Sequence, residues 1–334
     1  MKKTIIAMAI AAGLFALVHA IGAAMPDSAS VPATKPASAP ASAPAETAEI
    51  TLLHINDSHG RIDPYQVKGE PVGGYVRLAS LVKDIRKTST SDRVFLLHAG
   101  DVLSRGDRLT RRTLGAANVQ ILNHLGFDAW TPGNGEFYDG TKNLQARIRE
   151  AEFPVLTANV TLKKGGGPLG REYVIERAGP VKMAIFGLCL VRPSHDVSAN
   201  LTVTKPGETS KALVPKLREK ADVVVALTHL GYGMDRWLGE NVPGIDVIIG
   251  GHTHTRLSGG SRVKAPDGRE TLIVQAEEYM KYCGVVNLKL RKTGGRWTIV
   301  ESAASLVPLD EKLQPDAETA RLIEKLKAAA EPGS

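Results

Sequence analysis

Five short runs in this chain set Asp, His and Asn among glycines. They are Asn56-Asp57-Ser58-His59-Gly60, His98-Ala99-Gly100-Asp101, Pro132-Gly133-Asn134-Gly135-Glu136, the single His229, and Gly250-Gly251-His252-Thr253-His254. Alternate residues on extended backbone point the same way, so His252 and His254 can face one ion, and Asp57 and His59 repeat that geometry. A lone Asp after a strand is usually a turn or a helix cap. Five such coincidences in one chain call for a common purpose. Imidazole, carboxylate and amide oxygen without thiolate suit Mn, Fe, Co or Zn better than Ca or Mg. The candidate ligands Asp57, His59, Asp101, Asn134, His229, His252 and His254 are too many for one ordinary site. They suffice for two divalent ions about 3.5–4 Å apart joined by a bridging carboxylate, which would acidify water and neutralise a phosphoryl group.

Elements able to position these runs recur along the chain. Apolar, β-branched stretches at 50–55, 94–97, 155–158, 181–188, 223–228, 247–249, 272–276 and 285–290 predict strands, several buried on both faces. Helical spacing appears at 73–87, where Leu78, Leu81, Val82 and Ile85 repeat, and at 114–124, 144–151, 212–220 and 318–328. Strand and helix alternate early, while the end reads as hairpins and a terminal helix. An α/β core with a mixed sheet is expected. Each polar run follows a strand, in the crevice where α/β proteins place their sites, and its glycines allow sharp turns.

The rest of the chain bounds the setting. Lys2 and Lys3, an apolar run over 5–18 and the small residues Gly22, Ala23 and Ala24 predict a signal peptide over 1–24, with a retained anchor as the alternative. Residues 25–48, rich in Pro, Ala and Ser, predict an extended linker, and 49–334 a folded body. The protein is therefore expected to be periplasmic or secreted, touching a membrane only if the signal segment stays. Net charge is +7, with basic residues scattered rather than interleaved with aromatics. This favours a small anionic substrate and gives no support to nucleic-acid binding. Cys189 and Cys283 are too few and too far apart for a cysteine metal site, and two buried thiols are expected.

Asp57-Ser58-His59, Gly100-Asp101, Gly133-Asn134, His229 and Gly251-His252-Thr253-His254 resemble, in that order, the five-part signature of calcineurin-like metallophosphoesterases. The flanking text LLHINDSHGRIDP, GGYVRLASLVKDIR, ALTHLGYG, DVIIGGHTHT and QAEEYMKYCG is similar to the N-terminal metal domain of bacterial periplasmic 5'-nucleotidases and UDP-sugar hydrolases. The resemblance implies an α/β fold, a four-layer α-β-β-α sandwich; this chain is expected to form that single domain without the separate nucleotide-binding domain of two-domain nucleotidases. It also implies that Asp57, His59 and His254 hold one ion, that Asn134, His229 and His252 hold the other, and that Asp101 bridges them. The activity implied is phosphate-ester hydrolysis.

The chain departs from that pattern at Gly135, where the family carries a catalytic histidine, and at Tyr138, where it carries the aspartate orienting that histidine; Asp139 is adjacent. Losing a positioned acid costs about 10²–10⁴-fold. The catalytic candidates are then Asp101, Asn134 and His98, the last as a replacement acid or a packed strand-end residue. Arg105, Arg108, Arg111 and Arg112 are candidates for clamping an anion or for a solvated helix face. Two other functions fit the altered motif: a thiosulfohydrolase of sulfur oxidation, and a metal-bearing binding protein without turnover.

Overall fold

Period-two alternation, applied to strands that are apolar on both faces, requires a separate layer against each face. The computed structural model, which describes residues 46–331, meets that requirement with two stacked sheets. The strands begin with β1 (Thr47–Ile55), β2 (Tyr65–Val67), β3 (Glu70–Val72), β4 (Arg93–His98) and β5 (Ala129–Trp130). Next come β6 (Val160–Leu162), β7 (Tyr173–Ala178), β8 (Val181–Cys189), β9 (Leu201–Val203) and β10 (Val223–His229). The last are β11 (Val247–Ile249), β12 (Ser261–Lys264), β13 (Glu270–Val274), β14 (Tyr282–Thr293) and β15 (Arg296–Pro308). The helices are α1 (Tyr75–Thr88), α2 (Arg108–Arg112), α3 (Ala116–Leu125), α4 (Thr141–Glu150), α5 (His195–Asn200), α6 (Pro206–Arg218), α7 (Tyr232–Asn241) and α8 (Ala317–Ala329).

The first sheet runs β15-β14-β1-β4-β5, with β1, β4 and β5 parallel and the β14–β15 hairpin antiparallel beside β1. The second runs β12-β13-β11-β10-β8-β7, parallel in its centre with antiparallel edges. Along β1, Ile50 and Leu52 point into the layer between the sheets, while Leu53 and Ile55 point outward with α1 and α3. Met183 and Ile185 of β8 face inward, whereas Ala184, Phe186 and Leu188 pack outward with residues of α6 and α7. The result is the four-layer α-β-β-α sandwich, with two sheets where sequence reading alone had expected one.

Three local differences have physical reasons. The 155–158 run forms only isolated bridges, Trp130 with Val155 and Leu156 with Arg171, because Pro154 precedes it and it is clamped between two segments instead of extending a ladder. Helix α7 was not legible because Gly233 and Gly239 dilute its pattern; Gly239 has no room for a Cβ against Val263 of β12, so its helix is fixed by packing on the second sheet. Strand β1 begins at Thr47, so it includes the last two residues of the expected linker. The signal segment and the rest of the linker lie outside the described residues. Cys189 and Cys283 are buried free thiols, each pushed up to about 12 by burial. Among the described residues no helix is long and apolar enough to cross a membrane.

Candidate metal centre

The ends of β1, β4, β5, β10 and β11 converge, and each chain turns sharply on leaving its strand. Asp57, His59, Asp101, His252 and His254 all have positive φ, between 50° and 77°. Non-glycine residues adopt this conformation at a cost, and it recurs where a site over-determines the backbone. The loops close on each other through Asp57 N–H to the Gly100 carbonyl (2.9 Å) and His59 N–H to the Asp101 carbonyl (2.7 Å). Gly133 allows a close approach: a Cβ there would collide with Asp101 Oδ1 and His229 Nε2.

Side-chain hydrogen bonds use up one polar atom of each inner ligand and leave the other aimed inward. Asp57 Oδ2 accepts from Asn56 Nδ2 (2.7 Å) and His252 N–H (2.9 Å), leaving Oδ1 without a partner. His229 Nδ1 lies 2.7 Å from the Ala99 carbonyl, to which only a protonated Nδ1 can bond, and Nε2 is left without a partner. Asn134 Nδ2 donates to the Tyr138 hydroxyl (2.7 Å), leaving Oδ1 alone. Buried polar atoms are rarely orphaned, and these three donor atoms are of the kinds that ligate a cation.

The remaining distances describe a shared cage. Asp57 Oδ1 lies 3.3 Å from His254 Nε2, 3.7 Å from His59 Nε2 and 3.8 Å from His229 Nε2. The Nε2 atoms of His59 and His254 are 3.0 Å apart. Asp101 Oδ2 is 3.6 Å from His59 Nδ1 and its Oδ1 is 3.4 Å from His229 Nε2, so its two oxygens face the two halves of the cage. The His252 and His229 rings meet edge-on with centroids 5.3 Å apart. The side-chain atoms of Asp57, His59 and His254, and separately of Asp57, Asp101 and His229, are close enough to share an ion. Burial pushes the His229 imidazole down, but Asp101 and Asp57 outweigh it and hold it up at about 10. Burial pushes Asp101 up, and His229 overrides it, holding the carboxyl well below its usual range. The two carboxylates thus favour positive charge at this point.

The sequence profile of the family described as calcineurin-like phosphoesterase matches residues 50–256. The chain belongs to that family. Among curated relatives, a probable 5'-nucleotidase from Treponema pallidum is 30% identical, over 74% of this chain and 46% of its own length. The chain therefore spans less than half of that relative. Among solved structures, a 5'-nucleotidase precursor from Thermus thermophilus superposes with a TM-score of 0.75 at 26% identity, covering 84% of this chain and 59% of its own. The Thermus sulfate thiohydrolase SoxB superposes with a TM-score of 0.74 at 22% identity, covering 84% and 61%, which shows the shared fold alone.

Within this calcineurin-like phosphoesterase, the residues for which two readings stood open take the following places. His98 is fully buried, its Nε2 3.2 Å from Ser58 Oγ and its ring against Phe127, and burial pushes it down to about 3. It has no exposed surface, which is the arrangement of the packed strand-end reading. Of the four arginines after Asp101, Arg108 and Arg112 pair with Glu331 (3.2 and 2.8 Å), and Arg111 donates to the Gly106 carbonyl. Only Arg105 lines the cleft. At Gly135, Ser104 fills the space a larger side chain would need: an added Cβ would collide with Ser104 Oγ and come 2.8 Å from its Cβ.

Sequence reasoning also missed residues that organise the cage. Glu136 is buried and accepts four backbone N–H groups: Asp101 (2.9 Å) and Gly133 (2.5 Å) on one oxygen, Val102 (2.6 Å) and Leu103 (2.8 Å) on the other. It thereby locks the Asp101 loop to the Asn134 turn. Burial and the Asp101 charge push its carboxyl up to about 7, against the pull of those donors. Gln275 accepts from Thr255 N–H (2.5 Å) and donates to the Gly251 carbonyl (3.1 Å), bracing the His252–His254 loop. Their position, two residues after Asn134 and at the end of β13, was the only available signal.

Proposed function

We propose that this calcineurin-like phosphoesterase is an exported hydrolase of small phosphate esters that works with two divalent metal ions. The observation carrying this reading is the trio of buried, orphaned ligand atoms, Asp57 Oδ1, Asn134 Oδ1 and His229 Nε2, in one strained cluster of loops. The residues present fit such ions. Asp57, His59 and His254 would hold one, Asn134, His229 and His252 the other, with Asp101 shared between them. When bound, the ions supply Lewis acidity toward phosphoryl oxygens and acidify water.

The chain's own residues fix that chemistry in place. Ala99 holds His229 in the tautomer that presents Nε2, and Asn56 and His252 orient the Asp57 carboxylate. Glu136 keeps the Asp101 and Asn134 loops in register. Gly135 contributes no side chain for protonating a leaving group, so esters with acidic leaving groups are the favoured substrates. The segment 1–24 supports export to the periplasm or beyond.

The test is to load the full chain with Mn²⁺ and assay p-nitrophenyl phosphate and its bis-ester beside Asp101→Asn. Turnover that disappears in the variant supports the reading. Bound metal with no ester turnover overturns it. Sulfate release from a thiosulfonate would then indicate a thiosulfohydrolase, and its absence a binding protein.

A further inference from the structure

Beside His59 and His254 the cleft widens into a pocket of about 240 Å³, also lined by Arg61, Arg105, Asp107 and Tyr279. Its two guanidinium groups are arranged unlike the other arginines nearby. Arg108 and Arg112 share an ion pair with Glu331, whereas among the described residues no carboxylate lies within ion-pair distance of Arg61 or Arg105. Aromatic rings hold them instead. The Arg61 guanidinium stands 4.4 Å from the Tyr65 ring and 4.7 Å from that of Tyr279, and Arg105 stands 5.3 Å from Tyr138. Stacking on ring faces leaves the edge N–H donors of a guanidinium available, and those donors match an oxyanion in a two-point contact.

The pocket's one carboxylate is already answered. Asp107 Oδ2 accepts the N–H groups of Ile62 (2.7 Å) and Asp63 (3.1 Å). The Tyr279 wall is tied to the cage itself, since Tyr279 N–H donates to the Asp57 carbonyl (2.8 Å) while its backbone, like that of Arg105, keeps positive φ. The volume is below the roughly 300–1,000 Å³ of sites for drug-sized ligands, which suits a compact charged group better than a nucleoside.

We infer that this pocket is a second anion subsite, in which Arg61 and Arg105 receive a carboxylate or phosphate on the leaving group of a small, doubly anionic phosphate ester. The inference rests on the proposed hydrolase for the placement of the scissile phosphate, but the subsite can be tested apart from turnover.

The probes are 4-carboxyphenyl phosphate and 4-carbamoylphenyl phosphate, which differ by a carboxylate in place of a neutral carboxamide and both keep an acidic phenol as leaving group. With the Mn²⁺-loaded full chain, the ratio of kcat/KM values is measured by phosphate release, and the ratio of Kd values by calorimetry if no ester is turned over. The expected preference for 4-carboxyphenyl phosphate is about tenfold or more, the scale of charge-assisted hydrogen bonds. In Arg61→Gln/Arg105→Gln the ratio falls to within about threefold, whatever loss the two esters share, while Arg112→Gln keeps the original ratio. No preference in the unmodified chain, or one that persists in the double variant, overturns the subsite. Turnover of p-nitrophenyl phosphate without any preference removes the subsite alone. A preference in Kd with no turnover of any ester removes the hydrolase and leaves the subsite standing.

Discussion

The floor and the rim of this site are built differently. On the floor, Asp57 and His229 have no exposed surface and Asp101 is 3% exposed, and hydrogen bonds fix all three from behind. On the rim, the His59 and His254 side chains are 16% and 36% exposed, and Arg61 and Arg105 are held by ring stacking. Floor residues leave the ends of paired strands, so their positions follow from the sheets. Rim residues sit further along the loops, where a side chain can change without disturbing a ladder. On the proposed reading the floor and the two rim histidines would hold metal, while Arg61 and Arg105 are the rim positions where substrate choice can vary.

The sharpest way to break this contrast is at Asp101, the carboxylate facing both halves of the cage. Asp101→Asn should lower kcat/KM by about 10³–10⁴-fold and reduce the metal content found by elemental analysis. A loss below tenfold would mean that Asp101 is not shared. Glu136→Gln should destabilise the fold by about 2–4 kcal/mol, read as a fall in melting temperature, because an amide N–H₂ would face backbone donors. An unchanged melting temperature would show that Glu136 does not lock the floor.

Proton competition probes the same floor. With His229 held at about 10, the metal-free cage carries a proton through neutrality. Metal must displace it, so apparent Mn²⁺ affinity should rise with pH, by up to about tenfold per unit between about pH 6 and 8. A flat profile would place the metal away from His229. The smallest effect is expected at Gly135. Gly135→His should cost about 1–3 kcal/mol through overpacking against Ser104, and Ser104→Gly should relieve it. A Gly135→His protein as stable as the original would show that Ser104 moves freely.

What the sequence determined by itself is local. Runs of β-branched residues specify strands, helical spacing specifies α1, α3, α4, α6 and α8, and Asp and His beside glycines mark the ligand loops, because each signal is complete within a few residues. The expectation that His252 and His254 point the same way on extended backbone fails, since both have positive φ and His252 turns to His229 while His254 turns to His59. The resemblance to metallophosphoesterases supplied the second sheet and the proposed pairing of ligands. Tertiary structure decided the rest. His252 N–H reaches an Asp57 oxygen across 195 residues, a contact no local pattern encodes. The burial of His98, the pairing of Arg108 and Arg112 with Glu331, the approach of Ser104 to Gly135 and the convergence of Arg61, Arg105 and Tyr279 have the same origin. Each depends on which loops face each other once apolar faces have been buried, and that is settled by packing the whole sandwich rather than by any one segment.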